Sequence, residues 1–156
     1  MRNAFQEELD SIHGPLVRMG QLVEESMSSA TKALLEPNLE LAQKIIKEDD
    51  TIDDMQHELD ARTMLIIARQ SPVAGDLRTL VTSLRMSADL ERMGDMAHHI
   101  AKLARMRYPN CAVPSEIKEI IVQMDRVAVG IIQKTTAAIE TRNTTLALQL
   151  EKDDDE

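Results

Sequence analysis

The 156-residue chain is poor in aromatic side chains, glycine and proline. It has one Phe, one Tyr and no Trp, and only five glycines and five prolines. A β-sandwich or a β-barrel needs many turn residues, so this composition speaks against both. The apolar volume comes instead from aliphatic residues and ten methionines. Straight-chain side chains of this kind lose little rotamer freedom in a helix. The composition therefore favours an all-α protein.

Cysteine and long apolar runs are also scarce. Cys111 is the only cysteine, which excludes an intramolecular disulfide and a cysteine-based zinc site. Residues 1–10 carry charged side chains and lack the apolar core of a signal peptide. No stretch reaches the roughly 18 apolar residues that a membrane-spanning helix needs. We therefore expect a cytoplasmic protein that does not insert into a membrane directly.

The chain has an excess of negative charge. Its formal net charge is −9, with a sequence pI near 4.9. A protein that binds nucleic acid through the phosphates needs a basic face, so we expect no nucleic-acid partner. An acidic chain is suited instead to holding cations.

Apolar residues recur at helical spacing along most of the chain. The pattern predicts helices over residues 3–36, 39–70, 72–108 and 115–141. We expect a kink or a short break at Gly14 and Pro15, because proline removes a helical hydrogen bond. Asn38 is expected to cap the second helix, and Ser71 to cap the third with Pro72 in its first turn. The predicted units are residues 1–108, a linker over 109–114, and residues 115–156.

An internal repeat relates the two units. A shift of 105 residues places Met19 on Met124, Thr31 on Thr136, and Asp49 on Asp154. The same shift holds on both sides of the break between the helices, without a gap. Chance similarity between two unrelated amphipathic helices would not produce one common shift for both segments. A fixed period of this kind marks a repeated supersecondary unit. Since the sequence stops inside the fifth predicted helix, we expect tandem three-helix bundles with the second bundle incomplete in this chain, as in a fragment or the ordered part of a longer protein.

Two acidic pairs are the candidate functional residues. Asp49 and Asp53 lie on the second predicted helix, and Glu91 and Asp95 on the third. Residues four apart share a helix face, where two carboxylates repel each other unless a cation lies between them. Carboxylate oxygens are ligands for hard cations and for borderline metals such as iron. Two such helices side by side would bring four carboxylates to one metal site.

A salt-bridged bundle explains the same pattern without a metal. Acids beside a core need a partner, because an unpaired buried charge is costly. Five arginines on the second and third helices could supply it: Arg62, Arg69, Arg78, Arg85 and Arg92. The pattern alone leaves both interpretations open.

His98 follows Asp95 by three residues and shares its helix face. This is the spacing of the carboxylate–histidine element in di-iron bundles. A polar helix end explains it as well, since the sequence identifies no further histidine ligands. Nothing supports nucleophilic catalysis: Cys111 lies in the linker and no glycine-rich phosphate loop is present. We therefore expect no enzymatic activity.

Three segments resemble the PhoU family: DDTID at 49–53, ARQSPVAGDLR at 68–78, and DLERMGDMAHHIA at 89–101. The resemblance implies two three-helix bundles arranged as a pseudo-repeat. It also implies iron or zinc clusters, or other divalent cations such as manganese or magnesium, at acidic-x-x-x-Asp motifs. Those motifs fall on Asp49, Asp53, Glu91 and Asp95, and Asp154 opens the corresponding pair of the second unit.

The resemblance also implies a role. PhoU proteins are negative regulators of phosphate uptake and of the phosphate-starvation response. They are thought to act, often as homodimers, as adaptors between the ATPase of the phosphate ABC transporter and a phosphate-sensing histidine kinase. The alternative is a di-iron carboxylate bundle for metal storage or oxidation, which would need ligating acids on four helices. Glu24 and Glu25 of the first helix lie at the wrong height for such a set.

Overall fold

The computed structural model describes the backbone of residues 2–153 and the side chains of residues 6–153. Within that range the chain forms α1 (Arg2–Leu35), α2 (Leu39–Gln70), α3 (Ala74–Arg107), α4 (Lys118–Thr141) and α5 (Thr144–Asp153), with a 3₁₀ turn at Ser115–Ile117 before α4. No strand occurs in the described residues. The predicted all-α fold is confirmed.

The first three helices form an up-down-up bundle, and α1 lies at its centre. α1 packs against α2, α3 and α4, whereas α5 packs against α4. The main core contains aliphatic residues from the first four helices: Ile12, Leu16, Val17, Met19, Val23, Ile52, Leu59, Ile66, Leu80, Leu90, Ile132 and Ile139. No described helix has an apolar window long enough to cross a bilayer.

α4 runs antiparallel to α1 and approaches it closely. The His13 ring donates from Nε2 to the carbonyl oxygen of Ile139 at 2.8 Å. Near the middle, a Cβ built on Gly20 would collide with the Thr136 side chain. At the far end, Lys118 donates to the carbonyl oxygen of Leu35 at 3.1 Å. Glycine at position 20 is therefore what lets the two helices meet at this depth.

Of the kink or short break expected at Gly14 and Pro15, the break is wrong, because α1 continues through Pro15 as one helix. Proline has no N–H, so the carbonyl of Ser11 loses its usual helical donor. Arg62 of α2 replaces that donor, since its Nη1 lies 3.2 Å from the Ser11 oxygen. A tertiary hydrogen bond from Arg62 thus replaces the helical hydrogen bond that Pro15 cannot make.

The connection between α2 and α3 also differs from the prediction. The expected cap at Asn38 is confirmed, as its Oδ1 accepts from the Leu41 N–H at 2.9 Å. Ser71, however, ends α2 instead of opening α3: it has φ 45° and its N–H reaches the carbonyl of Ile67. Pro72 then lies outside α3, which begins at Ala74 after an extended Val73.

The buried side of α3 is made of small residues. The apolar spacing predicts two rows on α3, one through Leu77 and Val81 and one through Leu90 and Ala97. The residues of the first row are exposed, and those of the second are buried. The buried row consists of Leu80, Ser83, Ser87, Leu90, Gly94, Ala97, Ala101 and Ala104. Small side chains let α2 and α1 approach α3 closely, and this close packing fixes the positions of the acidic pairs. The division into units 1–108, 109–114 and 115–156 stays a prediction.

Candidate metal centre

The two acidic pairs lie together where α2 packs against α3. Asp49 is buried, and Asp53, Glu91 and Asp95 are half-buried. One donor atom each from Asp49, Asp95 and His98 lie within 4.8 Å of one another. Two ligands on one zinc ion are about 3.4 Å apart in a tetrahedral site, so these three donors need only small movements to share an ion.

Gly94 determines how close the two helices come at this point. A Cβ on Gly94 would lie 3.0 Å from Cδ1 of Ile52 and 3.6 Å from Oδ1 of Asp49. The absence of a side chain at position 94 therefore leaves room for both. Ile52 is buried and belongs to the main core.

Electrostatic repulsion between the carboxylates shifts their pKa values. Burial, and then repulsion by Asp49 and Asp95, raises the pKa of Asp53 above its usual value. Burial, and then repulsion by Asp95, Asp53 and Asp49, likewise raises the pKa of Glu91. Both shifts mean that the folded protein disfavours four simultaneous negative charges here. A bound cation would relieve that repulsion.

His98 joins the cluster from α3. Its Nδ1 contacts Oδ2 of Asp49, and the imidazole and the carboxylate are both largely buried, with 17% and 7% of their side-chain surface exposed. Its Nε2 is buried and has no hydrogen-bond partner among the described residues. His98 is thus part of the site and not a polar helix end.

The salt-bridge interpretation is not supported in the described part of the chain. Of the five candidate arginines, Arg62 pairs with Glu58 at 3.3 Å, and that pair is exposed. None of the five forms an ion pair with the four acids within residues 6–153. Among the described residues, the basic side chain that contacts one of the four acids is His98, at Asp49.

Two residues that affect the acidic cluster were not predicted from the sequence, His57 and Gly94. His57 is exposed, and its interaction with Asp53 and Glu91 lowers the pKa of both carboxyls against the larger effects that raise it. Gly94 carried a signal, because a glycine inside a long helix usually marks a close approach. Asp154 lies outside the described residues, so the predicted pair of the second unit stays a prediction.

The chain is similar to known proteins over the helices that carry the acidic pairs. The family model described as "PhoU domain" matches residues 16–104, which include both acidic pairs and His98. The chain belongs to the PhoU family. The match spans most of α1, α2 and α3, so the PhoU domain here coincides with the bundle that holds the cluster.

Relatives extend the similarity to nearly the whole chain. It is 36% identical over 155 residues to the phosphate-specific transport system accessory protein PhoU homolog 2 of Mycobacterium tuberculosis, covering 99% of this chain and 73% of the relative. It is 35% identical over 156 residues to the PhoU homolog of Clostridium acetobutylicum, covering 99% and 70%.

Solved structures share the fold. The crystal structure of PhoU from Pseudomonas aeruginosa aligns with a TM-score of 0.83 and 29% identity, covering 93% of this chain and 69% of that one. The phosphate transport system regulatory protein PhoU from Streptococcus pneumoniae aligns with a TM-score of 0.85 and 26% identity, covering 97% and 70%.

Proposed function

We propose that this PhoU-family protein is a negative regulator of phosphate uptake and of the phosphate-starvation response. It acts as a cytoplasmic adaptor between the ATPase of the phosphate ABC transporter and a phosphate-sensing histidine kinase. In this role it forms a homodimer. The observation that carries the proposal is membership of the family across 16–104, together with relatives named as accessory proteins of phosphate-specific transport. The function is one of binding and signalling, not catalysis.

The regulatory role is tested in a bacterial strain that lacks its own PhoU protein and carries a reporter of the phosphate-starvation response. We expect the full chain to repress the reporter when phosphate is plentiful. Affinity capture from the same cells is expected to recover the transporter ATPase or the histidine kinase. A reporter that stays fully active, with the protein present and folded, would contradict the proposal.

The second part of the proposal concerns the metal. We infer that Asp49, Asp53, Glu91 and Asp95 hold a metal ion or cluster, with iron or zinc favoured over manganese and magnesium. Carboxylates from two helices converge and repel one another. Among the described residues, no arginine forms an ion pair with them that would offset this repulsion. A bound metal would neutralise the cluster and hold α2 against α3.

Elemental analysis of purified protein tests the metal site. The double variant Asp49→Ala with Asp95→Ala is expected to lose bound metal and to keep its helical circular dichroism. The matched control is Asp50→Ala with Asp54→Ala, because these acids belong to the same stretch of sequence but are exposed. Equal metal content in wild type and in the Asp49/Asp95 variant would reject the site.

The di-iron alternative receives no support from the described residues. The clustered ligands come from α2 and α3 alone. Glu24 of α1 instead accepts a hydrogen bond from Gln133 of α4 at 2.7 Å. Oxygen-dependent turnover by the purified protein would be needed to revive that alternative.

A further inference from the structure

One of the two apolar rows on α3 is left uncovered by the described residues. This outer row consists of Leu77, Val81, Leu84 and Ala88, at intervals of four, three and four residues. Leu77 and Val81 are each 38% exposed, Leu84 is half-buried and Ala88 is exposed. Another side of the same helix is already buried against α1 and α2. The outer row is therefore an apolar surface beyond the one that the bundle needs for its core.

The spacing of the outer row is that of a coiled-coil seam. Alternating intervals of four and three residues mark the a and d positions, whose side chains pack between two helices. In this register the arginines at 78, 85 and 92 occupy three successive e positions, directly beside the seam. Side chains at e positions pair with charges on the facing helix, and so decide which helix can bind.

The three arginines are available to such a partner. Arg78, Arg85 and Arg92 are exposed and form no ion pair within residues 6–153. Asp89 lies between two of them in sequence and is also exposed, but it pairs with neither. The chain as a whole has a net charge of −9, so a line of free positive charges differs from the rest of the molecule.

We propose that residues 77–92 of α3 form a docking surface for an amphipathic helix of a partner protein, with apolar residues along its seam and Asp or Glu beside them. This inference rests on the adaptor role of the proposed function and adds to it the binding surface and the chemistry of the partner. Complementary charges of this kind speed association and exclude partners of the wrong charge. An apolar helix face laid against a groove or another helix is a common mode of recognition.

Two other occupants suit the outer row less well. A second copy of the chain would pair through the same surface across a two-fold axis, which would bring arginines against arginines. An anionic membrane would attract the arginines but repel a chain whose net charge is −9. A separate acidic helix meets neither objection.

Two designed peptides test the charge preference. Each has about 21 residues, or three heptads, with Leu at the a and d positions. The acidic peptide carries Glu at e and g and the basic peptide carries Lys there, so that neither pairs with itself. Fluorescence anisotropy of labelled peptide measures binding to the full chain. We expect the acidic peptide to bind at least about tenfold more tightly than the basic one, with a preference that weakens as salt is added.

Charge reversal on α3 provides the decisive variants. Arg78→Glu with Arg85→Glu should invert the preference, so that the basic peptide binds more tightly. The matched control is Arg105→Glu with Arg107→Glu, because these arginines are exposed on the same helix but lie beyond the outer row. The control changes the net charge equally and should keep the preference of the wild type. Circular dichroism checks that both variants are folded.

The reporter strain that tests the regulatory role links the surface to function. The Arg78/Arg85 variant should lose repression, and the Arg105/Arg107 control should keep it. Repression by both variants, or wild type that binds neither peptide or both equally, would overturn this inference and leave the adaptor role standing. An acidic preference that survives the Arg78/Arg85 reversal would do the same. Wild type that fails to repress contradicts the proposed function, whatever the peptides show.

Sedimentation velocity and flotation with vesicles of phosphatidylglycerol and phosphatidylcholine test the other occupants. We expect the Arg78/Arg85 reversal to change neither self-association nor vesicle binding. Self-association that the reversal abolishes would assign the outer row to a second copy of the chain. Vesicle binding that the reversal abolishes would assign it to a lipid surface. Either result would overturn the inference of a partner helix.

Discussion

Segments related by the predicted 105-residue offset carry similar apolar patterns but bury them differently. Met19 of α1 is 0% exposed, whereas Met124, its counterpart at the 105-residue offset, is 62% exposed. Ile12 is 2% exposed and its counterpart Ile117 is 42% exposed. The α1 residues belong to the main core, whereas Met124 of α4 and Ile117 of the preceding 3₁₀ turn are left uncovered by the described residues. An apolar pattern thus shows which face of a helix can be buried, and the neighbouring helices decide whether it is.

The largest expected effect comes from shortening the paired methionines. Met19→Ala should lower the free energy of unfolding by about 2–5 kcal/mol, since it leaves a cavity among α1, α2 and α3. Met124→Ala should change it by less than about 0.5 kcal/mol, because an exposed side chain loses little contact. Urea denaturation followed by circular dichroism measures both. Equal losses would mean that α4 is as well covered in solution as α1.

Metal binding should stabilise α2 and α3, which carry the acidic pairs, and not α4. Zn²⁺ at a hundred times its dissociation constant adds about 2.7 kcal/mol, or roughly 5–10 °C in Tm for a domain of this size. Amide hydrogen exchange should slow in α2 and α3 and stay unchanged in α4. The Asp49→Ala with Asp95→Ala variant should show neither effect, while the Asp50/Asp54 control should show both. Uniform protection of all the helices would argue for nonspecific binding.

The close contact between α1 and α4 depends on Gly20. Gly20→Ala should destabilise the protein by about 1–3 kcal/mol, because the new methyl group would force Thr136 and α4 away from α1. Gly130→Ala lies inside α4 with open space around it, and should stabilise by about 0.5–1 kcal/mol through higher helix propensity. Thermal denaturation of the pair checks the opposite signs. A neutral Gly20→Ala would show that α1 and α4 can separate without cost.

The smallest expected effect concerns charge repulsion in the metal-free cluster. The pKa of Asp53 is raised in the folded state, so its ionisation costs more there than in the unfolded chain. Its unfavourable contribution is absent below the usual pKa of 3.8 and grows as the pH rises through the folded value. Asp53→Asn should therefore stabilise the metal-free protein by about 0.2–0.5 kcal/mol at neutral pH. Its advantage over the wild type should vanish in acid. In the presence of Zn²⁺ the sign should reverse.

Helix positions and the acidic pairs were predictable from local pattern. The bounds of α2 and the cap at Asn38 follow from spacing and from the asparagine side chain. The i, i+4 spacing placed each acidic pair on one helix face, which the family resemblance then associated with metal. Continuity of α1 through Pro15 was not predictable, because it depends on Arg62, which is 51 residues from Ser11 in sequence.

His98 shows the limit of pattern in the site itself. Its spacing from Asp95 suggested a shared face, but equally suited a solvated helix end. Only the approach of α2 to Gly94 brings Asp49 against the imidazole. The row of small residues on α3 was also missed, because Ser, Gly and Ala carry little hydrophobic signal, although they decide how closely helices pack.

The sequence by itself determined an all-helical, acidic protein with a carboxylate pair on one face of each of two successive helices, because helix formation, capping and i, i+4 spacing are local properties of the chain. Tertiary structure alone decided that the carboxylates meet, that His98 contacts Asp49, and that Met19 is buried while Met124 is exposed. Those outcomes depend on the distance between helices, which is set by the sizes of side chains far apart in the sequence.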